Sequence, residues 1–316
     1  MNDRPLPALA IDIGSTKIAA GIVEPAGRMV ASGRVATPKE LDGEQLWRTL
    51  DALLGRVHGG AAGEISGIGC GVGGPMEWPA GKVSPLNIPA WNSFPLRDRL
   101  ADRFPGVPVR LHNDAVCMVA GEHWRGAGRG YGNVLGIVLS TGVGGGLVLG
   151  GRLIDGETGN AGHIGHVVVD PDTGPHCQCG SKGCLEAIAG GPRLAAWAQE
   201  NGWRAGGRNV TAGELADDAA RGHPVALEAL RRAGRALGLA ISSATALCDL
   251  EVVAIGGLLS RAGSLLLGPL EETLRRYARL DFTRDVRVVP AALGQDAALI
   301  GAAALIFAAD RYWSAD

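Results

Sequence analysis

Apolar residues fall along this chain in short dense runs separated by glycine-rich turns, and several longer stretches carry them at helical spacing. Residues 8–13 form one such run, which ends in Gly14-Ser15, and a second run, 17–23, follows at once. Strand, tight turn, strand is the pattern. Residues 25–28 turn the chain into a third run, 29–35. Between 43 and 57, Leu46, Leu50, Leu53 and Leu54 recur on one face and predict a helix. A buried strand is predicted over 65–72, broken by Gly73-Gly74-Pro75. Residues 78–95 hold Pro79, Pro85, Pro89 and Pro95 and read as an extended, ordered loop. A strand over 107–111 delivers Asn113-Asp114 at its end, and a helix over 115–124 follows.

The opening unit then recurs. A run over 134–140 leads into the turn Thr141-Gly142-Val143-Gly144-Gly145-Gly146, and 147–149 continues it. Two strand–turn–strand units predict two similarly built α/β domains. A helix over 225–247, a strand over 250–255 ending in Gly256-Gly257, a last strand over 286–290 and a closing helix over 296–308 complete the pattern. The closing helix is expected to return to the first domain. The N-terminal domain would be residues 1–117 completed by 297–316, and the C-terminal domain residues 118–296.

Composition changes this picture in three ways. Hydrophobic residues make up 46% of the 316 but aromatic ones only 4%, so aliphatic side chains must fill a sizeable core. Glycine occurs 50 times, well above the usual share of about 7%, and it clusters beside apolar runs, as backbone-lined loops require. Net charge is −2, from 30 basic and 32 acidic residues, which excludes a broad basic surface for nucleic acid. The N-terminus lacks a charged region followed by an apolar stretch, and no run reaches the ~20 residues that cross a bilayer. Three of the six cysteines fall within eight residues, a spacing for metal rather than disulfides. A cytoplasmic, reducing setting with no membrane partner is expected.

Five constellations carry candidate chemistry. In Asp12-Ile13-Gly14-Ser15-Thr16-Lys17, a glycine turn lets backbone N–H groups and hydroxyls approach phosphate oxygens. Asp12 adds a carboxylate suited to hydrated Mg²⁺. Thr141, Gly142, Gly144 and Gly145 form a second glycine turn at a strand end, where glycine is costly unless something must come close. Gly256 and Gly257 make a third. Neither of these two turns matches the single-loop phosphate motifs, so together the three predict a split nucleotide site. His166 with Cys177, Cys179 and Cys184 gives the Cys₃His set of a structural zinc site; His163 and His176 are rival ligands. Asp114, at a strand end, has the position of a general base that takes a hydroxyl proton during phosphoryl transfer. Residues of this type also form ordinary turns there.

Taken together, these motifs resemble the ROK family, which groups bacterial sugar kinases with related repressors, and the resemblance runs through essentially the whole chain. Asp12 to Lys17 is similar to the family's first phosphate motif, with Ser15 where the family usually has Gly. Residues 140–146 resemble its second phosphate motif, Gly256-Gly257 its adenosine-side glycines, and His166, Cys177, Cys179 and Cys184 its zinc motif. The resemblance implies an actin-like (ribonuclease H-like) ATPase fold, two α/β domains with the active site in the cleft between them. It implies ATP, Mg²⁺ and structural Zn²⁺ as cofactors and a homodimer as the assembly. Asp114 would be the base, and Gly74, Asn87, Asn113, Glu186 and His166 the sugar contacts, with His166 using one nitrogen for zinc and the other for sugar.

One position departs. The family's usual motif has Glu three residues before the zinc histidine, where this chain has His163 in Gly162-His163-Ile164-Gly165-His166. The family's N-acetylmannosamine kinases are similar in this. A neutral imidazole offers a donor to an acetamido carbonyl, which a carboxylate cannot. Phosphorylation of the 6-hydroxyl of N-acetylmannosamine by Mg²⁺-ATP is the expectation, with N-acetylglucosamine and glucose as alternatives. The family's sugar-sensing repressors carry a DNA-binding module before the first strand. With only residues 1–7 ahead of the first strand here, a repressor is not the expectation.

Overall fold

A computed structural model describes residues 5–38, 42–61, 64–205 and 211–314; the first four of the seven residues ahead of the first strand lie outside that set. Two compact units result: Met1–Gly130 with Gly146–Gly162 and Gln295–Asp316, and Tyr131–Gly145 with His163–Gly294.

The first unit opens with β1 (Ala8–Ile13), β2 (Lys17–Val23) and β3 (Met29–Ala36). Every residue of β1 except Asp12 is buried, whereas β3 alternates half-buried and exposed positions, as an edge strand with one wet face must. Helix α1 (Gly43–Ala61) buries Leu46, Leu50, Leu53 and Leu54 in the same core as Ile11, Ile18 and Ile22 of β1 and β2. Strand β4 (Ile68–Val72) is followed by a small three-stranded sheet, β5 (Met76–Glu77), β6 (Lys82–Val83) and β7 (Phe94–Pro95). The proline-rich segment is therefore partly sheet, and its own Trp91 and Phe94 stack with ring centroids 4.6 Å apart.

Helix α2 (Leu96–Arg103) leads to β8 (Val109–Asn113), two residues beyond the predicted 107–111. Pro108 has no N–H for the ladder, but its carbonyl accepts from Ile68. Asn113 thus ends the strand, and Asp114 begins α3 (Asp114–Arg125). The sheet order is β3-β2-β1-β4-β8, with β1, β4 and β8 parallel.

A second five-stranded sheet repeats this order as β11-β10-β9-β12-β13: β9 (Val134–Leu139), β10 (Val143–Leu149), β11 (Arg152–Leu153), β12 (Val252–Gly256) and β13 (Arg287–Pro290). Here too the last three strands of the order run parallel. The turn between β9 and β10 is shorter than predicted, because Gly144, Gly145 and Gly146 are strand residues. A Cβ at Gly146 would meet Val119 Cγ1 at 2.6 Å, so close packing against α3, not a loop, requires that glycine.

Helices α4 (Leu185–Ala189), α5 (Gly191–Glu200), α6 (Ala212–Ala220), α7 (Pro224–Cys248) and α8 (Ser264–Tyr277) belong to the second unit. The chain closes in the first unit with α9 (Ala297–Phe307) and α10 (Ala309–Tyr312). Helices α9 and α3 approach so closely that a Cβ on Gly121 or Gly301 would strike the other helix's backbone. No helix among the described residues is long and apolar enough to cross a membrane.

Candidate active site

In the first unit, the β1–β2 hairpin is closed by the Gly14 N–H donating to the Lys17 carbonyl at 3.0 Å. Thr37 caps the turn, its hydroxyl donating to the Gly14 carbonyl at 2.6 Å. Ser15 and Thr16 form the tip, and Lys17 is the first residue of β2. Asp12, one residue inside the end of β1, has its pKa pushed up to about 7. Burial is the largest cause; the charge of Asp114 adds to it, while Lys17 and Arg34 oppose it.

Asp114 stands at the other end of that electrostatic pair. Asn113 caps α3, its side-chain oxygen accepting the Ala115 N–H at 2.9 Å, and Oδ1 of Asp114 accepts from the same N–H at 2.9 Å. Burial raises the Asp114 pKa, partly offset by these backbone donors. Such a carboxylate holds a proton more readily than a solvated one, as a general base requires. Cys70 and Cys117 are buried here, and burial, with the charge of Asp12 added, raises both thiols. Gly74, after β4, accepts the Leu86 N–H on its carbonyl at 3.2 Å, which brings the exposed Asn87 segment beside it.

In the second unit, Glu186 lies in the first turn of α4, and its Oε2 accepts the Val143 N–H at 2.9 Å. A Cβ on Gly142 would occupy the space of that carboxylate. Thr141 is exposed at the turn. Gly256 ends β12, and Gly257 has φ +94°, with its Cβ position blocked by the Leu139 backbone; only glycine fits.

The turn Ile164–His166 is a short 3₁₀ segment preceded by the exposed His163. The rings of His163 and His166 lie 6.0 Å apart at 30°. His166 Nδ1 is 3.7 Å from Cys177 Sγ, and Cys179 Sγ is 3.7 Å from Cys184 Sγ. The four ligand atoms all lie within 4.8 Å of one another. Zinc–sulfur bonds of about 2.3 Å, arranged tetrahedrally, set sulfur atoms about 3.8 Å apart. A disulfide needs about 2.05 Å, so the set has the spacing of metal ligands. The cysteine hairpin is shaped by its backbone: Cys177 donates to Ser181 at 2.8 Å and Gly180 to Cys177 at 3.1 Å. His176, the rival ligand, is outside the cluster and pairs in a bridge with Lys182.

The structure therefore gathers Asp12, Asn113 and Asp114 in one unit, and Glu186, His163, His166 and the cysteines in the other. Sequence reasoning overlooks Val143, whose main chain holds Glu186, and the pairing of His112 with Asp155. A histidine directly after Leu111, at a buried position of β8, was the available signal.

A model of the ROK family matches residues 8–309. The glucokinase of Thermotoga maritima is 36% identical over 95% of this chain and 97% of its own. The N-acetylmannosamine kinase of Yersinia pseudotuberculosis is 33% identical over 93% and 96%. The crystal structure of a ROK family glucokinase from Streptomyces griseus in complex with glucose and AMPPNP superposes with a TM-score of 0.82 at 32% identity, covering 95% of this chain and 99% of that one. The two sheets and their helices are thus an actin-like ATPase fold, and this chain belongs to the ROK family, among its sugar kinases.

Proposed function

We propose that the protein transfers the γ-phosphoryl group of ATP to the 6-hydroxyl of an N-acetylhexosamine, N-acetylmannosamine first among them. The observation that carries this reading is His163, set 6.0 Å from His166 where the family's glucokinases carry a carboxylate. Its imidazole can donate to an acetamido carbonyl, which needs a donor. Asp114 takes the proton of the attacking hydroxyl, and Asn113 and Glu186 accept or donate to the ring hydroxyls. Asp12 offers its carboxylate to the Mg²⁺ that accompanies ATP, and that ion neutralises charge on the phosphoryl oxygens. The hairpins at Gly14 to Lys17 and at Thr141-Gly142, with Gly256 and Gly257, face the nucleotide. His166 Nδ1 and the three thiolates would hold zinc, and the ring of His166, fixed in this way, would keep Nε2 for the sugar, as outer groups orient a ligand.

Glucose is the second reading, favoured by the 36% identity to the Thermotoga maritima glucokinase. A coupled ADP-release assay over hexoses and N-acetylhexosamines separates them: a tenfold or greater preference for glucose overturns the first reading. Replacing Asp114 with Asn should lower kcat by roughly 10²–10⁴-fold while sugar binding persists.

A further inference from the structure

Two residues before Asp114, β8 buries a histidine. His112 is fully withdrawn from water, and its Nε2 lies 2.7 Å from Oδ1 of Asp155, which is buried as well. On the other side of the ring, Nδ1 lies 2.9 Å from the backbone nitrogen of Asn113, which donates to it. A peptide N–H can only donate, so Nδ1 presents its lone pair and Nε2 carries the hydrogen given to Asp155. The second oxygen of Asp155 accepts the Ser314 hydroxyl at 2.6 Å, and its main-chain carbonyl accepts the Ala161 N–H at 3.0 Å. Trp78 lies 6.3 Å from the His112 ring, with Trp313 5.6 Å beyond it. An unbroken line of hydrogen bonds runs from Ser314 through Asp155 and His112 to the Asn113 N–H, and the next peptide belongs to Asp114.

Such a pair is an expensive way to fill a core, because apolar residues of similar volume would spare the desolvation of a carboxylate. Its hydrogen bonds do something an apolar pair cannot. They fix which ring nitrogen carries the proton, and through it the orientation of the peptide that begins the Asn113-Asp114 step. Misplacing a reacting group by about 1 Å costs on the order of 100-fold in rate, so orientation at this peptide matters.

We propose that His112 and Asp155 form a buried positioning dyad for Asp114: Asp155 fixes the imidazole tautomer, and the imidazole holds the Asn113 N–H so that the Asp114 carboxylate faces the sugar hydroxyl. This rests on the reading of Asp114 as the base.

The test is steady-state kinetics on the full chain, with thermal melting beside it. His112→Gln keeps an N–H for Asp155 but loses the acceptor at Nδ1. It should lower kcat by about 10- to 100-fold while KM for sugar and ATP stays within about twofold. His112→Asn keeps an acceptor near Nδ1 but cannot reach Asp155. It should lose less than about fivefold in kcat yet melt no higher than the Gln variant. Asp155→Asn keeps the volume but accommodates either tautomer, and should lower kcat about 3- to 10-fold with KM unchanged, which gives a second reading if His112→Gln does not fold. A folded His112→Gln with kcat within twofold of the parent, or kcat losses that simply follow melting temperature across the three variants, overturns the dyad. Asp114→Asn run alongside separates the two ideas: an inactive Asp114→Asn with a parent-like His112→Gln removes the dyad alone. Turnover that survives Asp114→Asn removes the base assignment and the dyad with it.

Discussion

The backbone N–H of Val143 donates to Oε2 of Glu186 at 2.9 Å, which ties the start of β10 to the first turn of α4. The same residue's carbonyl lies against Gly165, so one residue, through its two successive peptides, supports both the carboxylate and the turn that presents His166. Gly142→Ala would place a methyl in the space of the Glu186 carboxylate and break this bond. A hydrogen bond to a charged group is worth about 1.5–3 kcal/mol, so KM for the sugar should rise on the order of tenfold, with KM for ATP changing less. Steady-state kinetics check this, and an unaltered sugar KM would show that Glu186 does not depend on the bond.

Asp12 makes the unliganded protein sensitive to pH. Its folded pKa, pushed up to about 7 by burial and then by Asp114, lies above its ordinary value of 3.8. Between those two values the folded state binds more protons than the unfolded one, so stability falls as pH rises from about 4 to 7. Asp12→Asn removes the buried charge. Without ligand, it should melt several degrees above the parent at pH 8 and close to it at pH 4, while losing turnover. Parent-like melting at both pH values would contradict the burial of this carboxylate. Binding of Mg²⁺-ATP to the parent should tighten as pH rises through 7, because the ion displaces the proton.

Zinc at His166, Cys177, Cys179 and Cys184 predicts about one equivalent per purified chain by metal analysis. Cys184→Ser should reduce that content and lower the melting temperature, and a strong chelator should do the same to the parent. Parent protein with no zinc but full activity would refute the site. A structural metal is worth several kcal/mol of folding energy in small domains, so a shift of less than 1 °C would also count against it.

In the proposed reading, sugar choice turns on His163. His163→Glu should move the ratio of kcat/KM for N-acetylmannosamine over glucose toward glucose by about tenfold, the scale set by one exchanged polar contact. The competition is measured with both sugars on one preparation. A ratio that stays within twofold places the discrimination elsewhere.

Much of this fold was written locally. Strands β1 and β2 match their predicted bounds because unbroken apolar runs flank a Gly-Ser turn, and α1 contains the leucine face that announced it. Strand β8 was misplaced by two residues because His112 and Asn113 look like turn residues, and what lets His112 stay in a buried strand is Asp155, 43 positions away. Gly146 reads as loop in sequence, yet what demands a glycine there is its neighbours in space, Val116 and Val119 of α3. The Cys/His cluster was legible because three of its four residues fall within one short hairpin. Glu186 was visible only by resemblance, since Val143, which holds it, also lies 43 positions away.

The two sheets share one strand order, and in both a glycine pair stands at the end of the fourth strand of that order: Gly73-Gly74 just after β4, and Gly256-Gly257 where β12 ends. One architectural address is thus used twice. The copies differ in what is inserted: the small sheet β5–β7 in one, the cysteine hairpin in the other. A change confined to either insert can therefore leave the order of both sheets untouched.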